Sequence, residues 1–326
     1  MCEMVEQTAC MTTEVPVQLT VDTPYMVGPV HCYTMEVGGE LVLFDTGPPT
    51  PTGEKFLREN IDLGRLNHVI VTHCHVDHYG LTSWLEQKSD ATLYLPYRDV
   101  QKIRRYEDRL SELYSLFAAM GFNNDYIETL KESFYRGVLF PPLPENYLIA
   151  ETDIPERLGI RTMGCAGHSQ SDLVYYGENW DITGDTLPRG IFQSPLLDVD
   201  TELGGRFNNY DAYCASIVKL AGLEGKRILP GHRKTIESIG ATILFYVSKT
   251  LDRVIQLKPY IKGNTIAGMV DGVFGEEMKD PCDIYLMDNQ IVFMNDLLQE
   301  PDLLRQALEQ MGLFDRVEER FFNACR

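Results

Sequence analysis

Short apolar runs set the rhythm of the first part of the chain. Val17 to Asp22, His31 to Val37 and Glu40 to Asp45 are separated by glycine turns such as Gly38-Gly39, which predicts an antiparallel sheet edge. Pro48, Pro51 and Gly53 then open a predicted helix that runs to Asn60. The run Val69-Ile70-Val71 reads as a buried strand, a helix follows from Tyr79 to Gln87, and Ala91 to Leu95 is the next strand. Strand and helix alternate, as they do where helices pack on a sheet.

From Pro96 to about Tyr147 the period lengthens. Val100, Ile103, Tyr106, Leu110, Leu113, Phe117 and Met120 recur every three or four residues, the signature of an amphipathic helical insertion. Its second half, Tyr126 to Tyr135 and then Phe140-Pro141-Pro142-Leu143-Pro144, is aromatic and punctuated by proline. Such a stretch suits either a lid or a packed extra layer. Strands resume at Tyr147 to Ala150, Ile160 to Met163, Leu173 to Tyr176 and Trp180 to Thr183. Leu187 to Asn209 has no clear period, and loops of this length are often functional. Arg189, Phe192 and Arg206 are its candidates for substrate contact, against a default of solvated surface. Tyr210 to Ala221 reads as a helix, Arg227 to Leu229 as a strand and Ile236 to Leu257 as a long amphipathic helix. The remainder, through Ile266 to Phe274 and Asp302 to Phe322, is mostly helical and shows no second set of catalytic residues.

Composition narrows the function. The 326 residues are 44% hydrophobic, enough to bury a large core. No apolar run approaches a membrane span, and Met1 to Gln7 lacks both basic residues and an apolar core, so neither insertion nor export is indicated. Eight cysteines without a C-x-x-C spacing argue against a disulfide scaffold and fit a reducing cytoplasm. The formal charge of -19 repels polyanions and weighs against a nucleic acid partner, leaving a small molecule as the expected one.

The chemistry gathers in His73-Cys74-His75-Val76-Asp77-His78, directly after a buried strand. Residues two apart on an extended chain share a side, so His73 and His75 can face one metal while Cys74 points away. Asp77 and His78 diverge where the chain turns, and offer a second metal its first ligands. Further nitrogen and oxygen donors sit in glycine-containing turns: His168 in Gly164 to Ser169, Asp185 in Thr183 to Thr186, and His232 in Leu229 to His232. Five of the seven histidines are then used. Cys74 and Cys165 are read as small packing residues. Asp45, at a strand tip, is either a carboxylate orienting a ligand histidine or a helix-cap residue.

These residues resemble the metallo-β-lactamase-fold superfamily, whose pattern H-x-H-x-D-H, then H, D and H is matched by His73, His75, Asp77, His78, His168, Asp185 and His232. The resemblance covers about residues 17 to 240. It implies an α/β fold, a four-layer αββα sandwich with the metals at one edge of two sheets, here carrying the helical insertion (about 96–147) and a helical C-terminal extension (241–326) packed on the domain 1–240. It also implies that His73, His75 and His168 hold a first divalent ion, that Asp77, His78 and His232 hold a second, and that Asp185 bridges them. Zinc suits this set, and iron and manganese accept it. Asp45 matches the family's acidic residue after an early strand.

Departures from the pattern sort the subfamilies. Asp185 stands where the main zinc β-lactamases have cysteine, and His75 stands where flavo-diiron proteins usually have glutamate. The His-Glu-Tyr-Thr sequence of glyoxalase II is replaced by His232-Arg233-Lys234-Thr235, and the tyrosine of quorum-signal lactonases by Thr186-Leu187-Pro188. The layout is most similar to thioesterase-type members. The expected activity is hydrolysis of an ester or thioester, acyl-CoA or lactone included, by hydroxide formed between two metals, with Asp77 as the catalytic group that assists proton transfer. The rivals are a metal-containing ligand-binding or regulatory protein, a phosphodiesterase and a di-iron oxidoreductase. The helical tail is expected to pack on the first domain, cap the site or mediate homodimer contacts.

Overall fold

The computed structural model describes residues 15–136, 141–190, 195–275 and 281–326. The N-terminal stretch Met1 to Gln7 lies outside them, as does Phe192. Two sheets organise the chain. The first has six strands in sequence order, β1 (Val17–Val21), β2 (Val30–Val37), β3 (Glu40–Phe44), β4 (Leu66–Ile70), β5 (Thr92–Leu95) and β6 (Leu148–Ile149). Its first three strands are antiparallel and the rest add in parallel. The second sheet has the order β10 (Arg227–Pro230), β9 (Trp180–Gly184), β8 (Leu173–Tyr176), β7 (Arg161–Gly164).

Alternation along the strands explains the layering. Tyr33, Met35, Phe44 and Ile70 of the first sheet meet Leu173, Tyr175, Trp180, Ile182 and Leu229 of the second in one buried cluster. Their immediate neighbours Cys32, Leu43 and Val69 face the other way, onto Leu57 of α1 (Pro51–Asn60), onto Leu81, and onto Leu85 of α3 (Thr82–Lys88). Val174 and Ile228 likewise turn outward, onto α8 (Asn209–Ala221) and α9 (Ile239–Leu257). A period of two thus gives each sheet two buried faces, and helices cover both outer ones. This is the αββα order.

Several elements differ from expectation at their ends. The helix predicted from Tyr79 to Gln87 is two pieces, α2 (Val76–Tyr79) and α3, because the backbone leaves the helical region at Leu81 (φ -102, ψ 12). The strand expected to reach Ala150 is only two residues long, since Ala150 opens α7 (Ala150–Asp153). Ile236 is not helical: it bridges to Ile228, and α9 starts only after Ser238 accepts the Ala241 amide as its cap.

The insertion forms α4 (Tyr97–Arg104), α5 (Tyr106–Ala119) and α6 (Asn124–Arg136). Its apolar stripe, Leu110, Leu113, Phe117, Ile127 and Leu130, packs with Leu197, Val199 and Val292. Of the aromatic stretch, Phe134 belongs to this cluster and Tyr126 packs against it, while Phe140 lies outside the described residues. The C-terminal helices α10 (Ile266–Phe274), α11 (Pro281–Gln299), α12 (Pro301–Gln310) and α13 (Glu318–Cys325) share one cluster with α8 and α9, through Met269, Phe293, Leu308 and Phe321. Of these, α11 was not singled out by its sequence. No helix among the described residues is long and apolar enough to cross a membrane.

Candidate metal centre

Strand direction brings the seven residues together. β3 and β4 are parallel, and so are β9 and β10, while β7 reaches β9 through two antiparallel pairings and runs the same way. The C-terminal ends of strands in each set therefore share an edge. Asp45 follows β3, His73 to His78 follow β4, His168 follows β7, Asp185 follows β9 and His232 follows β10. The Leu173 amide donates to the Thr72 carbonyl at 3.0 Å, tying the two edges to each other.

Ligand-capable atoms converge in three groups there, each within 4.8 Å: His73, His75 and His168; Asp77, His78 and His232; and His73, His78 and Asp185. Asp185 thus lies against one member of each of the other two groups. The His75 Nδ1 and His168 Nε2 atoms are 3.0 Å apart. His232 Nε2 is 3.3 Å from Asp77 Oδ2 and 3.5 Å from Asp185 Oδ2. No cysteine among the described residues joins any group, and Cys74 and Cys165 are buried packing residues.

The outer nitrogens of three imidazoles are fixed by groups around the cluster. His78 Nδ1 donates to Asp45 Oδ2 at 2.8 Å, and His232 Nδ1 donates to the Pro29 carbonyl at 2.8 Å. His73 Nδ1 lies 3.1 Å from Thr72 Oγ1, whose proton goes to Asp45 Oδ2 at 2.9 Å, so the ring nitrogen is the donor. With Nδ1 protonated, each ring turns an Nε2 lone pair inward. The three Nε2 atoms are buried and make no hydrogen bond. Orphaned buried acceptors are costly, and three at one point between carboxylates fit a divalent cation. The nitrogen and oxygen set suits zinc, iron or manganese alike.

Electrostatics tell the same story. Burial, with His78 and His75 beside it, pushes the His73 imidazole well below its ordinary range. Burial pulls the Asp185 carboxyl up, yet His232 and His78 hold it well below the carboxylate range. Burial also disfavours charge on His78, but Asp185, Asp45 and Asp77 outweigh it and favour positive charge at that point, a charge that a bound cation would supply in place of a proton on Nε2. A region with this much focused negative charge around buried imidazoles is matched to a cation.

Local backbone requirements are strict. A Cβ on Gly231 would sit on Asp185 Oδ1 and 2.7 Å from His78 Cε1. Asp45 adopts φ 57, a region that aspartate tolerates better than most residues. The other two histidines serve structure. His31 donates its backbone amide to Gly231 O at 2.7 Å and its Nε2 lies 2.6 Å from the Arg233 carbonyl, clamping the His232 turn. His68 sits beside Glu40 and Tyr94. A cavity of about 550 Å³ lies beside this turn, with Pro29, His31, Arg233 and Lys234 in its wall.

The sequence candidates outside the cluster fare differently. Arg189 pairs with Glu237 at 2.9 Å and the Thr235 carbonyl, and Arg206 makes two bonds to Asp296 at 2.7 and 2.9 Å. Both arginines pair with the protein itself, and Arg189 also lines the cavity beside the His232 turn. Sequence reasoning missed Thr72, which supports Asp45 through its amide at 2.8 Å and its hydroxyl. It also missed the buried Asp99, Lys102 and Asp198 behind the His75 and His168 loops. No pattern flags these, because burial of a polar residue depends on packing from distant segments.

The family model of the metallo-beta-lactamase superfamily matches residues 25–232. A probable metallo-hydrolase of Bacillus subtilis (strain 168), YqjP, is 28% identical over 256 residues, covering 72% of this chain and 76% of that protein. Among solved structures, the metallo-beta-lactamase family protein TTHA1429 from Thermus thermophilus superposes with a TM-score of 0.68 at 20% identity, over 88% of this chain and 94% of that one. A beta-lactamase domain protein from Burkholderia ambifaria gives a TM-score of 0.69 at 19% identity, over 89% and 88%. These two structures share the fold.

Proposed function

This chain belongs to the metallo-beta-lactamase superfamily, and from that membership we propose that it is a hydrolase holding two divalent ions, zinc first among them, and cleaving an ester or thioester of a small molecule. The observation that carries this reading is the set of buried Nε2 atoms of His73, His78 and His232, aimed inward and without hydrogen bonds. His73, His75 and His168 would hold one ion and Asp77, His78 and His232 the other, with Asp185 between them. When bound, such a pair supplies a Lewis acid for a carbonyl oxygen and a water acidic enough to lose its proton near neutral pH.

The chain's own residues do the rest. Asp45 and Pro29 hold His78 and His232 in one tautomer, so both rings keep their lone pairs toward the centre. Asp77 is buried in the cluster, 3.3 Å from His232 Nε2, and its carboxylate is the group placed to take or give a proton there. The cavity beside the His232 turn has the size of a small-molecule site, and Arg233 and Lys234 put positive charge in its wall within an acidic protein. That supports an acyl compound bearing negative charge over a polymer.

Elemental analysis of the purified protein, paired with a panel of acyl-CoA thioesters, lactones and phosphodiesters, tests the proposal. Two equivalents of metal and turnover of the carbonyl compounds, lost on chelation and restored by metal, are expected. Protein without stoichiometric metal, or turnover confined to the phosphodiesters, would refute it.

A further inference from the structure

We infer that Lys102 is a positioning residue for the metal centre: from the insertion helix α4 it fixes the two loops that carry His75 and His168. This rests on the reading of those histidines as metal ligands. The Lys102 side chain is buried, and its Nζ lies 2.8 Å from Asp99 Oδ1, 3.0 Å from Ser169 Oγ and 3.5 Å from Asp198 Oδ2. Asp99 Oδ2 in turn accepts the Cys74 amide at 2.5 Å. Cys74 stands between His73 and His75, and Ser169 follows His168. One ammonium group therefore ties together, within two bonds, the backbone of one ligand loop and the side chain next to another.

A buried lysine is an expensive way to attach a helix, and well-packed apolar side chains commonly do as well or better. The insertion already has such a core in Leu113, Phe117 and Leu130. Its attachment does not need the charge. The network is balanced, since Arg109 Nε reaches Asp198 Oδ1 at 2.5 Å, so Lys102 and Arg109 face Asp99 and Asp198. Asp198 also accepts the Val199 amide at 2.8 Å, and Leu196 N donates to the His168 carbonyl at 2.8 Å. The arms through Asp99 and Ser169 end on segments that carry a ligand of the first ion, and the segment before Asp198 touches His168 through Leu196. In the second group His78 and His232 are oriented by Asp45 and Pro29, which lie outside this network, although Asp45 also reaches His73 through Thr72.

The structure thus assigns the insertion a share in metal affinity that is specific to one of the two sites. Lys102→Met keeps length and removes charge, and Lys102→Arg keeps charge. Metal titration against a chromophoric chelator should show Lys102→Met binding one ion about ten- to a hundredfold more weakly, with the other little changed and with Lys102→Arg recovering part of the loss. A purely structural lysine would lower the melting temperature of the metal-free protein without separating the two sites. Folded Lys102→Met that binds both ions like the parent overturns the inference. Should Lys102→Met fail to fold, Ser169→Ala decides: it removes the hydroxyl that Lys102 holds at 3.0 Å and the Ser171 amide reaches at 3.4 Å, and unchanged affinity for both ions in that variant also overturns it. Parent protein that binds no metal would instead sink the reading of the centre itself.

Discussion

Asp45 Oδ2 lies 2.8 Å from His78 Nδ1 while the same carboxylate takes the Thr72 amide at 2.8 Å and the Thr72 hydroxyl at 2.9 Å. One buried carboxylate thereby sets two imidazoles, His78 directly and His73 through Thr72. Asp45→Asn keeps the left-handed backbone but can turn an N–H toward His78, reversing the tautomer. Metal affinity should fall about 10- to 100-fold with the fold intact. Asp45→Ala should in addition leave the Thr72 amide unpaired and lose roughly 1–3 kcal/mol of stability. Metal titration and urea unfolding of both variants separate the two effects.

Gly231 leaves no room for a side chain between Asp185 and His78. Gly231→Ala should displace one of them and cost most of the bound metal, whereas Gly164→Ala, with nothing within 4 Å of the added carbon, should leave metal content at the parent level. Elemental analysis of both proteins checks this.

Asp77 joins His78 and His232 in the second group of ligand-capable atoms. Asp77→Asn alters the carboxylate that would both hold the second ion and carry the proton, with little change in volume, so turnover should drop by about 10²- to 10⁴-fold and binding of that ion should weaken with it. His75→Ala should lose metal and hydrolysis together. Parallel metal analysis and rate measurements on the best substrate of the panel test both, and full turnover by metal-free His75→Ala would contradict the scheme.

Asp288 on α11 supplies a pH dependence remote from the metals. Burial raises its carboxyl to about 7, against the Tyr126 hydroxyl that donates to it at 2.6 Å, and Asp271 adds a like charge. The folded state therefore holds a proton that the unfolded state has released above about 4. Stability from this group is greatest below that value and declines as pH rises from there through 7, by at most about 4 kcal/mol. Unfolding curves of Asp288→Asn should show a shallower decline between pH 5 and 8 than the parent's. Identical slopes would remove Asp288 as the source.

The metal centre was legible early because its ligands are dense in sequence. Four candidates fall within His73 to His78, and each remaining one follows a strand in a short glycine turn. The role of Asp45 was only half legible: a strand-tip aspartate serves as a cap as readily as an orienting group. Its contact with His78 spans 33 positions of the chain. The long helix α11 escaped notice because apolar and polar residues are mixed around it, and it packs on both the insertion, through Val292, and the C-terminal cluster, through Phe293. An element with partners on several sides shows no single stripe.

By itself the sequence determined most of the strands and helices, though not α11 or several element ends, and which side chains have the chemistry to hold metal, because period and ligand type are local properties. Tertiary structure alone decided that Arg189 and Arg206 answer to Glu237 and Asp296 and that Lys102 stands behind the His75 and His168 loops. Those outcomes depend on which distant carboxylate or hydroxyl the packing brings within reach. Charge and burial of a side chain are set by neighbours far along the chain, and a linear pattern carries no record of them.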